Sequence, residues 1–427
     1  MNKFTYDDIS ETIYKTTLSN GLTVCLIPRE EMAKTYGVFS TNYGSIDRMF
    51  TPFNQQEPIS VPDGIAHFLE HKLFEKEDHD VFADFGKQGA SANAFTSFTE
   101  TAYLFSATSR IQENVTTLLD FVQDPYFSDQ SVEKEKGIIT QEITMYDDQP
   151  DWRMFMETIK AMYHDHPVNI DIAGTAESIQ LITKDDLYTC YNTFYHPSNM
   201  TLVVAGRFDP NDMLKLIEMN QSNKTFSEVL PINRVFPDEP TVVAKKEHVF
   251  SMPVSTPKCT IGIKEPEIPV DGDAFLKKEL FMSMFLDFFF SKSGAFYEQL
   301  YQKDLIDDSF YFETNLNPNF GYALIGSNTT HPDVFAEHVK HMLLTIGQNE
   351  VSLQDFERMK KKKIGQLLMA MNSLEFTANK FIHYDRLGID LFSMINVIQS
   401  LSVEEAQQFL KNWIKPDQIA VCKLITE

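Results

Sequence analysis

Residues 125–142, PYFSDQSVEKEKGIITQE, return in altered form at 349–366 as NEVSLQDFERMKKKKIGQ. At a constant offset of 224, Ser128 meets Ser352, Gln130 meets Gln354, Glu133-Lys134 meets Glu357-Arg358, and Lys136 meets Lys360. A second pair of blocks follows. KDDLYTCYNTFYHPSNMTLVV (184–204) matches VEEAQQFLKNWIKPDQIAVCK (403–423) at an offset of 219, with Phe194 on Trp413, Pro197 on Pro416, and Met200 and Leu202 on Ile419 and Val421. Two blocks in the same order at nearly one offset imply a duplicated α+β unit of about 200 residues, far longer than a solenoid repeat. The fold class expected is therefore α+β, with two homologous repeats, each a mostly antiparallel sheet with helices on one face.

The boundaries follow from the repeat. Residues 1–220 form the first unit, 246–427 the second, and the polar, three-proline stretch 221–245 the linker. A chain of 427 residues agrees with two cores rather than one. Within the first unit, YKTTLSNGLTVCLIP reads as a hairpin about Asn20-Gly21. KTYGVFSTNYGS reads as extended, ANAFTSFTETAYLFSAT (92–108) as strand, and TLVVAG (201–206) as a buried strand. Helical periodicity runs through about 111–148, 151–163 and 184–195.

The copies differ at one place. GIAHFLEHKLFE (64–75), with Asp63 as the expected N-cap, lands on LFMSMFLDFFFSKSGAF (280–296), which has no histidine, and Glu142 lands on Gln366. Packing alone gives little reason for such an asymmetry. On a helix, His67 and His71 stand four apart and reach one ion, and Glu70 projects near the same face. A catalytic zinc takes three protein ligands and keeps a fourth position open, and a neighbouring carboxylate is placed to take a proton from water the metal has acidified. Glu133, Glu135 and Glu142 are candidates for the third ligand. Glu135 and Glu142 share a helical face, so one can ligate while the other orients a histidine. Glu133, among lysines, reads as solvated. His164 and His166 in YHDHPVN read as a surface loop, and His79 as solvent-facing.

Composition excludes other classes. A net charge of −24 opposes nucleic-acid binding, and no apolar run is long enough to span a membrane. The N-terminus lacks a secretory pattern. Cys25, Cys190, Cys259 and Cys422 are far apart and read as reduced core residues, so the expected location is the cytoplasm.

With these residues placed, the chain resembles the pitrilysin/insulysin family of HxxEH zinc peptidases, over about 15 to 425, and its half-length processing-peptidase branch. The resemblance implies one zinc per chain held by His67, His71 and Glu142, with Glu70 as general base and Glu135 as the supporting glutamate. It implies a peptide substrate bound by strand addition along 89–105, with Asn93, Ala94 and Phe95 at the substrate. It also implies a zinc endopeptidase that dimerises around a chamber. One departure is visible. Where the family carries an Arg and, seven residues on, a Tyr, LYQKDLIDDSFYF (300–312) has Tyr301, then Asp308 or, with a shift, Phe310 or Tyr311. A heterodimer partner lacking HxxEH could bring that pair; the alternative is a non-catalytic or partner-dependent subunit.

Overall fold

The computed structural model describes residues 1–53 and 55–427. The first half builds a seven-stranded sheet from β1 (Asn2–Tyr6), β2 (Glu11–Thr17), β3 (Thr23–Pro28), β4 (Thr35–Thr41), β7 (Ala90–Thr96), β8 (Thr101–Ala107) and β9 (Met200–Gly206), in the order β1-β2-β3-β9-β4-β8-β7. A small three-stranded sheet joins β5 (Met49–Thr51), β6 (Ile59–Ser60) and β10 (Asn233–Arg234). The second half builds a five-stranded sheet from β11 (Glu247–Met252), β12 (Lys258–Lys264), β13 (Tyr311–Asn317), β14 (Phe320–Asn328) and β15 (Ile419–Thr426), in the order β11-β15-β12-β14-β13. Five strands of each sheet match one for one. β3 and β9 pair parallel, as do β11 and β15, and every other neighbour in this core is antiparallel. The two-repeat α+β architecture is therefore present in both sheets.

The helices repeat as well. Those of the first half are α1 (Ile65–Phe74), α2 (Phe82–Lys87), α3 (Ile111–Val122), α4 (Asp129–Asp147), α5 (Pro150–Met162), α6 (Ala176–Gln180), α7 (Lys184–Phe194) and α8 (Pro210–Ser222). Those of the second are α9 (Gly272–Phe290), α10 (Ala295–Gln302), α11 (Pro332–Thr345), α12 (Leu353–Met371), α13 (Leu374–Arg386), α14 (Met394–Ser400) and α15 (Val403–Asn412). The matched serines of the repeat are the N-caps of α4 and α12: Ser128 accepts from the Ser131 amide and Ser352 from the Asp355 amide. Thr183 and Ser402 cap α7 and α15 in the same way. A capping side chain satisfies an otherwise orphaned amide, typically about 1 kcal/mol, so these positions set where each helix starts. Among the described residues no helix is long and apolar enough to cross a membrane.

Both sheets are apolar on both faces. Along β3 and β9, Val24, Leu26, Leu202 and Val204 pack with the first half's own helices, whereas Cys25, Ile27, Val203 and Ala205 face the other way into the second half's core. The second face is covered by an exchanged helix. α13 of the second half lies on β4 and β9, and α5 of the first half lies on β12 and β15. Met156, Ile159 and Met162 of α5 pack on Tyr322, Leu324 and Ala420. Gly262 permits this close approach, since a Cβ there would stand 2.6 Å from Met162 Sδ. Each sheet thus carries its own helices on one face and one helix of its twin on the other.

Some local expectations need correction. The stretch 92–108 is not one strand but parts of β7 and β8, turned at 97–100, where the Ser97 hydroxyl accepts from the Thr99 and Glu100 amides. His166 is buried rather than on a surface loop, with its Nδ1 accepting from the Val168 amide and its ring stacked on Phe236. The 221–245 stretch runs along both halves: β10 pairs with β5, Glu239 accepts from the amides of His164, Asp165 and His166, and the Val243 amide donates to the Asp417 carbonyl. The four cysteines are free and buried, and His79 is exposed, as expected.

A polar latch crosses between the halves beneath the apolar contacts. Arg29, just after β3, is buried; it pairs with Glu11 at 2.5 Å and donates to the Met371 carbonyl at 2.6 Å. Replacing Arg29 by methionine leaves Glu11 buried without its partner, and breaking such a pair costs about 3 kcal/mol or more. Urea denaturation of Arg29→Met should show that loss, and an unchanged midpoint would mean that apolar packing alone holds the halves.

Candidate active site

α1 begins abruptly. Gly64, at φ +86°, is its N-cap, and a Cβ there would sit 2.2 Å from the Ala173 carbonyl oxygen. Only glycine meets both demands. Asp63 is therefore not the cap; its carboxylate pairs with Arg48 instead. From this start α1 buries Phe68, Leu69 and Leu73 and turns His67, Glu70 and His71 toward α4 and β7.

The predicted residues of α1 and α4 come together. Glu142 Oε1 lies 3.7 Å from His67 Nε2, and its Oε2 lies 3.4 Å from His71 Nε2. One ligand atom from each of the three falls within 4.8 Å of the others. These separations are long for hydrogen bonds. They are close to the edge, about 3.3–3.6 Å, of a tetrahedron with zinc–ligand bonds of about 2.0–2.2 Å. Glu135 does not join them. It is buried one side away, where its Oε1 accepts from His71 Nδ1–H at 3.0 Å and so aims Nε2 at Glu142. Glu133 is exposed and pairs with Lys136.

The electrostatics describe a site suited to a cation. Burial, with help from the neighbouring His71, lowers the His67 pKa to about 3, so this imidazole is neutral and offers a lone pair. Burial also acts downward on His71, but the hydrogen bond to Glu135 and the charges of Glu70, Glu142 and Glu135 outweigh it and lift the ring. Glu70 is 8% exposed, and burial pushes its carboxyl above the ordinary range. The Thr96 hydroxyl opposes that shift by donating to Glu70 Oε2 at 2.6 Å. Three carboxyl groups around two imidazoles, with two nitrogens and one oxygen converging, fit a divalent ion with borderline-soft preferences such as zinc.

Thr96 was not apparent from the sequence. It stands 26 residues from Glu70 and ends β7, and only the sheet brings the two together. β7 is one edge strand of the first sheet, opposite β1, and among the described residues it is unpaired on its outer side. Ala90, Ala92 and Ala94 pack on the α1 side, as alternation with Thr96 requires, while Phe95 packs toward the second half. Asn93 is exposed and shares the face of Phe95, and its Oδ1 accepts from the Ala94 amide at 2.9 Å, so that amide lies outside the β7–β8 ladder. Of the three predicted substrate residues, Ala94 is the one on the Glu70 face. Tyr301, at the arginine position of the departure noted above, is an exposed side chain of α10 stacked on Tyr297, and the Tyr311 hydroxyl is 3.1 Å from that of Thr260.

Two histidines and a glutamate around one point, with a buried carboxylate beside them and an open strand edge alongside, is an arrangement used by metallopeptidases. The chain belongs to peptidase family M16: residues 60–176 match the model "Insulinase (Peptidase family M16)" and residues 181–363 the model "Peptidase M16 inactive domain". It is 50% identical over 420 residues to the uncharacterized zinc protease YmfH of Bacillus subtilis, covering 98% of both chains. A crystal structure from Alicyclobacillus acidocaldarius, assigned as an M16-like peptidase, superposes with a TM-score of 0.93 at 42% identity, covering 98% of this chain and 99% of that one. A protease structure from Helicobacter pylori shares the fold at 16% identity, with a TM-score of 0.82 and coverage of 97% and 99%.

Proposed function

We propose that this chain is a zinc-dependent endopeptidase that cleaves peptides or unfolded segments lying as an extended strand along β7. The convergence of His67, His71 and Glu142 next to Glu70 carries this reading. These three residues would hold one zinc, whose chemistry when bound is that of a Lewis acid, acidifying water and polarising the substrate carbonyl. The chain's own residues do the rest. Glu70, its carboxyl raised by burial and held by Thr96, takes the proton of the attacking water and passes it to the leaving amine. Glu135 keeps the His71 ring in one orientation. The outer edge of β7 supplies backbone hydrogen bonds that keep the substrate extended, and this reading draws on Asn93, Ala94 and Phe95.

We also propose that the chain works as a dimer in the cytoplasm, with a paralogue lacking HxxEH as the preferred partner. Tyr301 where the family has arginine supports this, because no arginine stands at that position to meet substrate. A fully active homodimer or monomer in size-exclusion chromatography would overturn the paralogue requirement.

Glu70→Gln should keep stoichiometric zinc while hydrolysis of a quenched peptide falls by about 10²-fold or more, whereas His67→Ala should lose the metal as well. Unchanged turnover by Glu70→Gln would remove Glu70 from the reaction. Thr96→Val removes a hydrogen bond that favours the ionised Glu70. Its carboxyl then holds its proton to higher pH, the active carboxylate form is reached later, and the acidic limb of kcat/KM should move upward. A downward or absent shift would contradict the role given to Thr96.

A further inference from the structure

The second half holds a cavity beside α9, the helix that corresponds to α1. α1 packs on β7, α4 and α7, and α9 makes the corresponding contacts with β13, α12 and α15. A cavity of about 280 Å³ is lined by α9, β13, α12 and α13. Gln366, the counterpart of Glu142, and Thr314 of the edge strand both line it. The metal-binding set is gone, but the cavity is not apolar.

Glu279, Lys363 and Lys380 all border this space. The Tyr384 hydroxyl donates to Glu279 Oε2 at 3.0 Å, and Lys363 Nζ donates to the Ser283 hydroxyl at 2.6 Å. Among the described residues neither ammonium forms an ion pair with Glu279, and Lys380 has no hydrogen-bond partner, though its ammonium lies 5.7 Å from the Tyr384 ring centroid. Burial pushes the Glu279 carboxyl up, opposed by Lys380, Tyr384 and Lys363, and burial pushes Lys363 down, opposed by Glu279 and Asp287. Opposite charges are thus half-buried around one space without closing on each other, an arrangement that favours a guest able to pair with both. A lone anion would face Glu279, a lone cation would face two ammonium groups, and an apolar guest would leave all three desolvated. A guest bearing both charges satisfies them.

We propose that this cavity binds a zwitterion of amino-acid or dipeptide size, its ammonium against Glu279 and its carboxylate against Lys363 and Lys380. The volume lies just below the ordinary range of ligand pockets, which begins at about 300 Å³, and suits so short a guest. The link to function rests on the peptidase reading, since short peptides with both termini free are what such an enzyme releases. The binding site itself does not depend on turnover.

The test is calorimetry on the full chain, stripped of metal by a chelator so that no hydrolysis intervenes. Two probes are titrated: L-alanyl-L-leucine and its doubly blocked form, N-acetyl-L-alanyl-L-leucine amide. The free dipeptide should bind saturably and the blocked one should not. Glu279→Gln and Lys363→Met should each weaken binding by about tenfold or more, and His67→Ala should leave it unchanged. Absence of binding, equal binding of the blocked peptide, or loss in His67→Ala with retention in Glu279→Gln would each overturn the proposal. The comparison of probes uses the unaltered chain, so it decides even where a variant fails to fold. Hydrolysis is not read here, so a chain that binds the dipeptide but never cleaves peptides would sink the peptidase reading and leave the cavity's assignment standing.

Discussion

Each sheet of this protein has two apolar faces, and the helices of its own half cover only one. That constraint governs the rest of the structure. The uncovered face of the first sheet receives α13 and that of the second receives α5, so neither half can bury its core without the other. Residues such as Val38, Val203, Ile261 and Ile325 are wholly buried. Burying a side chain of valine or leucine size contributes about 1.5–3 kcal/mol, so a handful of them outweigh any single polar contact across the junction. Arg29 and Arg386, which bonds to Glu100 and Ser40 on the far side, add direction to a contact that apolar burial already drives.

The site depends on the same arrangement. With one face under α1, α3 and α7 and the other under α13, the first sheet is covered on both sides, and β7 is the edge strand beside α1. α1 is pinned against that edge by a glycine cap with no room for a side chain, and α4 crosses it carrying Glu135 and Glu142 on one face. The distances among His67, His71 and Glu142 are thus set by helix-on-sheet packing rather than by a loop. That is the kind of support a metal site needs. Thr96 ties the end of the edge strand to Glu70, so strand and carboxylate are held together.

Duplication explains what the second half retains. α9 keeps the position of α1, but its histidines are replaced by phenylalanines and methionines that pack into the larger shared core. The space beside it is lined by Glu279, Lys363 and Lys380. A structure that needed only to be stable would fill such a space with apolar side chains, because half-desolvated charges are poor cement.

Much of this was legible in the residues alone. The repeated caps Ser128 and Ser352, and Thr183 and Ser402, report helix starts through local hydrogen bonds, and these need no tertiary context. His67, Glu70 and His71 are read from helical spacing, and Glu135 and Glu142 from a seven-residue step on one face. Tertiary structure decided the rest. Which glutamate stands with the histidines and which sits behind one of them depends on how α4 crosses α1. The hairpin at 97–100 hid within a stretch of uniformly strand-like residues, and Gly64 rather than Asp63 caps α1 because of the backbone of Ala173 pressing on it. The exchange of α5 and α13, the bond from Thr96 to Glu70 and the charged cavity at Glu279 join residues far apart in sequence. Local periodicity records which face of an element is apolar, but not which distant element will cover it.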